Sequence, residues 1–170
     1  EIAKSLQRKL EAPGALDNVP FAENKLRLLE ILIDEKCPIH EIKLKELTNK
    51  FPNLNAYILG VIREDGFKIL KKNDKLQHED KAYVIVNSNQ MKETLKVFGH
   101  NEKIANKILI IGGGNIGFNL ASNIEKNFDE ARVKIIEKDK NRAELIANYL
   151  NDTIVINGNG LDEDVLNEAN

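Results

Sequence analysis

Residues 108–117 read Ile-Leu-Ile-Ile-Gly-Gly-Gly-Asn-Ile-Gly, and this stretch constrains the fold more than any other part of the chain. Four consecutive apolar residues are strand-like. Beyond the glycines, Ile116, Leu120, Ile124 and Phe128 recur every four residues, the spacing of one helix face. The chain must therefore pass from strand to helix through a segment almost free of side chains. Gly112, Gly114 and Gly117 satisfy G-x-G-x-x-G, and each position has a physical task. Gly112 permits a tight turn, Gly114 lets backbone N–H groups approach a pyrophosphate, and Gly117 allows the helix to pack closely on the strand. Gly113, Asn115 and Ile116 complete the loop, and the helix start offers unpaired N–H donors to anionic oxygens. Glu137 lies 20 residues beyond Gly117 at the end of the next apolar run, where a carboxylate can accept from two ribose hydroxyls and repel a 2′-phosphate. NAD(H) or another adenine nucleotide with an unphosphorylated ribose is favoured over NADP, and the adjacent Lys138 is a candidate adenosine-side contact.

The flanking pattern extends this unit. Val133–Ile136 and Thr153–Ile156 are further apolar runs, predicting strands buried on both faces, and Ala143, Ile146, Ala147 and Leu150 form a helical stripe between them. Strand, helix, strand, helix, strand places the second half of the chain in the α/β class, as a partial Rossmann-like parallel sheet with βαβαβ order. Asn157-Gly158-Asn159-Gly160 follows the third strand at the sheet edge where such folds place ligands. Asn157, Gly158 and Asn159 either line an adenine pocket or lead into a helix capped by Asp162.

The first hundred residues have a different texture. Ile2, Leu6 and Leu10 mark a short helix ended by Pro13-Gly14; Leu26, Leu28, Ile31 and Ile33 suggest a strand; and Lys43–Lys50 suggests a helix broken by Pro52-Asn53. Tyr57–Arg63, Asp65-Gly66 and Phe67–Leu70 read as a hairpin, Asn73-Asp74 as a turn, Ala82–Val86 as a strand, and Met91, Leu95 and Phe98 as the face of a helix. This is a small α+β lobe. The domain boundaries read as a leading helix and linker over 1–16, the α+β lobe over 17–100, and the nucleotide-binding half-lobe over 101–170. Tyr57 and Tyr83 read as packing residues, His78-Glu79-Asp80-Lys81 as a solvated turn, and His40, His78 and His100 as surface residues without metal-ligand spacing. Cys37, the single cysteine, reads as a buried or loop residue and suggests a reducing compartment. The first hundred residues carry 17 basic and 15 acidic side chains and the rest 8 and 12, with no dense basic block, so nucleic acid is not expected as a partner. No apolar run approaches the ~20 residues of a membrane-spanning helix, which predicts a soluble chain. Glu at position 1 and a half-built sheet at position 170 suggest a segment of a longer protein.

Lys107–Ala121, Lys134–Ala147 and Ile154–Ala169 together resemble the nucleotide-binding N-lobe of the RCK (KTN) domains of TrkA-type regulators of potassium uptake. Pro13–Ile31, Ile58–Leu76 and Glu79–Gly99 are similar to the C-lobe of the same family. A C-lobe followed by an N-lobe implies the middle of a tandem N1-C1-N2-C2 arrangement, with the leading helix left over from the first N-lobe. The resemblance implies a non-enzymatic, cytoplasmic regulatory subunit, peripheral at the inner face of the cell membrane. It would assemble with other RCK domains as a homo-oligomeric ring and gate an integral-membrane potassium transporter of the TrkH type. The family's ligands imply NAD(H) or ATP/ADP at Gly112–Ile116 and Glu137. The alternative is an NAD-dependent oxidoreductase whose substrate domain lies outside these residues; that chemistry requires a general acid/base pair beside the nicotinamide, and none is visible.

Overall fold

The computed structural model describes residues 1–52 and 54–169; the Asn53 half of the expected Pro52-Asn53 break lies outside the described residues. The chain divides into two compact units, one of Glu11–Ile104 and one of Glu1–Leu10 with Ala105–Asn170.

Among the described residues, the Glu11–Ile104 unit is a five-stranded antiparallel sheet with two short α-helices and a single 3-10 turn at Ser88–Gln90. Its elements are β1 (Asp17–Phe21), β2 (Leu26–Leu32), α2 (Leu44–Lys50), β3 (Ala56–Arg63), β4 (Gly66–Lys68), β5 (Lys81–Asn87) and α3 (Met91–Val97), and the strand order is β1-β2-β5-β3-β4. The core lies on one face, where Leu29, Ile31 and Ile33 meet Val61, Ala82, Val84, Leu95 and Phe98. The expected strand is present as β2 (Leu26–Leu32), but the expected alternation slips by one residue. Odd positions 29, 31 and 33 are buried, while Leu26 and Leu28 lie on the opposite face with only partial cover, because side chains alternate across a strand and one face alone meets the core. β1 has no sequence expectation behind it. Pro20 removes a donor and Asp17-Asn18 are poor strand formers, so β1 survives as an edge strand paired only to β2, through a turn in which Ala22, Glu23 and Asn24 all have positive φ.

Three side-chain expectations for this unit are corrected. Asp80 does not sit in a solvated turn: it is 1% exposed and accepts from Arg63 Nε (2.5 Å), Arg63 Nη2 (2.8 Å) and the Gln77 amide (2.8 Å). That bidentate contact is the leading cause that raises the Arg63 pKa further. Tyr57 is 69% exposed rather than packed, whereas Tyr83 stands edge-on to Phe67. His100 is largely enclosed, its ring lying under Gly14 and beside Glu102. Cys37 is buried, and burial pushes its thiol pKa up.

The second unit contains α1 (Ile2–Glu11), β6 (Lys107–Ile111), α4 (Asn115–Asn127), β7 (Arg132–Glu137), α5 (Lys140–Ala147), β8 (Ile154–Asn157) and α6 (Glu163–Ala169). Its three strands are parallel in the order β6-β7-β8. Leu120, Ala121 and Ile124 of α4, Ile146 of α5 and Leu150 pack on Val133 and Ile135, with Ala3 of α1 in the same cluster. Both crossover helices therefore cover one face of the sheet. The expectation of strands buried on both faces holds for β7 but not for its neighbours: Leu109 and Ile111 of β6 are 41% and 63% exposed, and Ile154 of β8 is exposed as well. Two helical stripes are narrower than expected for the same reason, Ile116 and Ala147 both facing outward.

α4 is held at its far end by Glu125, whose carboxylate accepts from the amides of Asn151 (3.3 Å), Asp152 (2.9 Å) and Thr153 (2.7 Å). Burial raises its pKa, but the hydrogen bonds from the 151–153 loop outweigh that and leave it below the ordinary 4.5.

Two outcomes are expected. Asp80→Ala, which strands Arg63 against the core edge, should cost about 3 kcal/mol in urea denaturation followed by circular dichroism. Because the Glu125 pKa is depressed on folding, its contribution is complete above about pH 4.5 and is lost as pH falls through the folded value. Acid titration of the wild type should show this loss, and Glu125→Gln should show a smaller pH dependence together with about 1–2 kcal/mol less stability at neutral pH.

Candidate functional site

Backbone geometry places the glycine segment at the carboxyl end of β6. The Gly112 amide donates to the Ile136 carbonyl (2.8 Å), and Gly112 turns the chain at φ +102°, a conformation that L side chains rarely adopt. α4 begins immediately, with Gly114 at its N-cap, and Gly117 lies in its first turn directly against the Gly112 carbonyl. A Cβ at 117 would collide with that oxygen, so this close approach is open only to glycine. At Gly114 the reverse is true: a Cβ would meet nothing within 4 Å, and no side chain caps the helix start. First-turn amides of a helix have no intrahelical acceptor, so those of Asn115 and Ile116 open onto this uncrowded edge.

Glu137 ends β7 and turns towards the same loop. Its Oε2 accepts from the Gly113 amide (2.7 Å) and its Oε1 from the Asp139 amide (2.9 Å). Lys138 follows it in the turn into α5, which Asp139 caps by accepting from the Arg142 amide (2.7 Å). Asn157 pairs with Glu137 across the sheet, and its Nδ2 donates to the Glu137 (2.9 Å) and Lys138 (3.1 Å) carbonyls; the Gly158 amide also reaches the Glu137 carbonyl (3.0 Å). Asn159 Oδ1 accepts from the Leu161 amide, and Asp162 Oδ1 from Asp164, one residue into α6. The three loops following β6, β7 and β8 thus meet at one edge. Gly112 to Gly117 and Glu137 form its centre, while the side chains of Asn157 and Asn159 are engaged in holding its third loop.

Gly160, the last residue of the run singled out after the third strand, has a specific role at this edge, and Arg142 escaped the sequence reading. Gly160 is pressed against Ile111, where a Cβ would lie 2.5 Å from Cγ2, which brings the third loop over the end of β6. Arg142 donates from Nε to the Gly113 carbonyl (2.8 Å) and lies over the Phe118 ring at 5.8 Å. The signal for Arg142 was a lone arginine five residues past the acid, which is indistinguishable in sequence from a solvated helix charge. Among the described residues no group of three His, Cys, Asp or Glu side chains could hold a metal, and no helix is long and apolar enough to cross a membrane.

A small antiparallel α+β lobe followed by a strand-glycine-helix lobe has the architecture of RCK domains. The TrkA-C domain model matches residues 28–99 and the TrkA-N domain model residues 108–170. The Trk system potassium uptake protein TrkA of Azorhizobium caulinodans is 36% identical over 99% of this chain, and that of Vibrio alginolyticus 29% identical over the same share. The chain spans little more than a third of the length of those relatives, 37% and 36%. Solved structures of similar fold include the GsuK RCK domain (TM-score 0.53, 18% identity, 99% of this chain and 35% of that one) and the GsuK channel bound to NAD (TM-score 0.53, 17% identity, 99% and 29%). This chain belongs to the TrkA-type RCK family.

The glycine that precedes α4 and the glycine in its first turn separate site from fold. Gly117→Ala should destabilise the protein by about 2 kcal/mol or more in thermal denaturation, through the clash with the Gly112 carbonyl. Gly114→Ala should change stability by less than about 0.5 kcal/mol, since its Cβ enters open space from a permitted backbone conformation.

Proposed function

We propose that this chain is part of a nucleotide-sensing regulatory subunit of a potassium transport system. The observation that carries the reading is the uncapped start of α4 at Gly114, Asn115 and Ile116, open to solvent beside the Glu137 side chain, which turns towards the same loop. Bare amides and a helix N-terminus suit a diphosphate, and the carboxylate suits the ribose hydroxyls next to it. A ligand with both parts is an adenine nucleotide with a free 2′-hydroxyl: NAD(H), ATP or ADP. Gly113 and Gly117 keep the loop low, Lys138 stands on the adenosine side, and Asn157, Gly158 and Asn159 form the adjoining wall. The relatives named as potassium uptake proteins, and a fold neighbour that is a channel described as bound to NAD, support the same reading.

The subunit acts without chemistry on its ligand. It sits on the cytoplasmic side of the cell membrane, assembles with other RCK domains into a ring, and contacts an integral-membrane potassium transporter of the TrkH type. Nucleotide changes the gate only through its differential affinity for the ring states, a coupling typically worth about 1–3 kcal/mol.

Calorimetric titration with NADH, NAD, ATP and ADP should give saturable binding of at least one of them. Gly114→Val should abolish it while leaving the melting temperature near that of the wild type. Potassium flux through the assembled system should respond to the nucleotide that binds. No heat with any of the four, or flux indifferent to all, would sink the proposal.

A further inference from the structure

Gly113 is held from both sides by side chains of the neighbouring segment: its N–H by the Glu137 carboxylate and its C=O by the Arg142 guanidinium. The second contact is well supported. Arg142 is half-buried, its backbone amide is fixed by the Asp139 cap, and its guanidinium rests on Phe118, which itself stands edge-on to Tyr149. Gly113 is buried, and a Cβ there would run into Ile146, so α5 packs on this residue as well as bonding to it. The carbonyl that Arg142 grips belongs to the peptide group whose other end is the Gly114 amide, and the Asn115 amide follows directly. Rotation of that peptide would swing the Gly114 N–H directly and would reach the Asn115 N–H only through the Gly114 backbone.

We propose that Arg142 is a positioning residue: by gripping the Gly113 carbonyl it aims the Gly114 amide and sets the backbone from which the Asn115 amide follows, and it thereby links α5 to the loop. This deepens the nucleotide reading and rests on it for the ligand, although the aiming of the loop itself does not depend on any ligand. A residue acting through the shared peptide should affect all phosphate ligands alike, because every one of them meets the same two amides. A residue touching the ligand directly should instead discriminate by phosphate number.

The test uses Arg142→Met in the full 170-residue chain, which keeps an unbranched side chain over Phe118 and removes the donor. Amide resonances of ¹⁵N-labelled protein without ligand should shift at Gly114 and Asn115, and affinities for NADH, ATP and ADP should fall by a common factor of roughly ten, the loss expected for one charge-assisted hydrogen bond. Unshifted Gly114 and Asn115 amides, unchanged affinities with a lower melting temperature, or losses graded by phosphate number would each overturn the proposal. If the wild type bound none of the nucleotides, the functional reading would fail on that result alone, while shifted amides in the variant would still uphold the positioning role.

Discussion

The second unit depends on how closely α4 can approach the end of β6. Only a hydrogen at position 117 lets the first helical turn rest on the Gly112 carbonyl, and that contact sets both the height and the direction of the helix. With the near end fixed, Leu120, Ala121 and Ile124 come down on Val133 and Ile135. At the far end Glu125 gathers three amides from the loop that leads into β8. One helix thus positions the strand before it, the strand beside it and the loop that begins the third. The amides at its start stay open for a different reason: the N-cap residue, Gly114, has no side chain to offer, although a side chain there would meet no neighbour.

The antiparallel unit is organised on a different principle. Its sheet has one apolar core face, and a single buried carboxylate closes the end of that core. Asp80 takes the fork of Arg63 and the Gln77 amide, so the turn between β4 and β5 is tied to β3 at the point where the chain returns to the sheet. Charge pairing there, and apolar packing at Phe98 and Ile31, serve the same end of holding a small sheet together with little helix to cover it.

Much of this was legible from residues alone. The strand, glycine run and helix of 108–128, the acid at 137 and the hairpin around Asp65-Gly66 are local patterns, each written within a window of a few residues where backbone preference and side-chain period agree. The misreadings share a cause. β1 contains Pro20 and two weak strand formers and exists only because β2 offers it a partner. Leu26 and Leu28 match Ile31 and Ile33 in character but lie on the other face, since which parity faces inward depends on where the helices lie. Asp80 among His78, Glu79 and Lys81 looks like any polar turn until Arg63 is brought beside it. Arg142 was invisible because its partner is a backbone carbonyl, which leaves no mark on composition or spacing.

The sequence by itself determined the parallel βαβαβ order, the place of the turn and the chemical types gathered near it, because those follow from steric limits on glycine and from the periods of strand and helix. Tertiary structure alone decided which atoms of that turn are occupied and which are open. Glu137 and Arg142 converge on Gly113 only when β7 and α5 are folded against β6, and Gly114 is left facing solvent only because nothing else in the unit reaches that far. Contacts between residues 24 and 29 positions apart are set by packing geometry, and no local pattern encodes them.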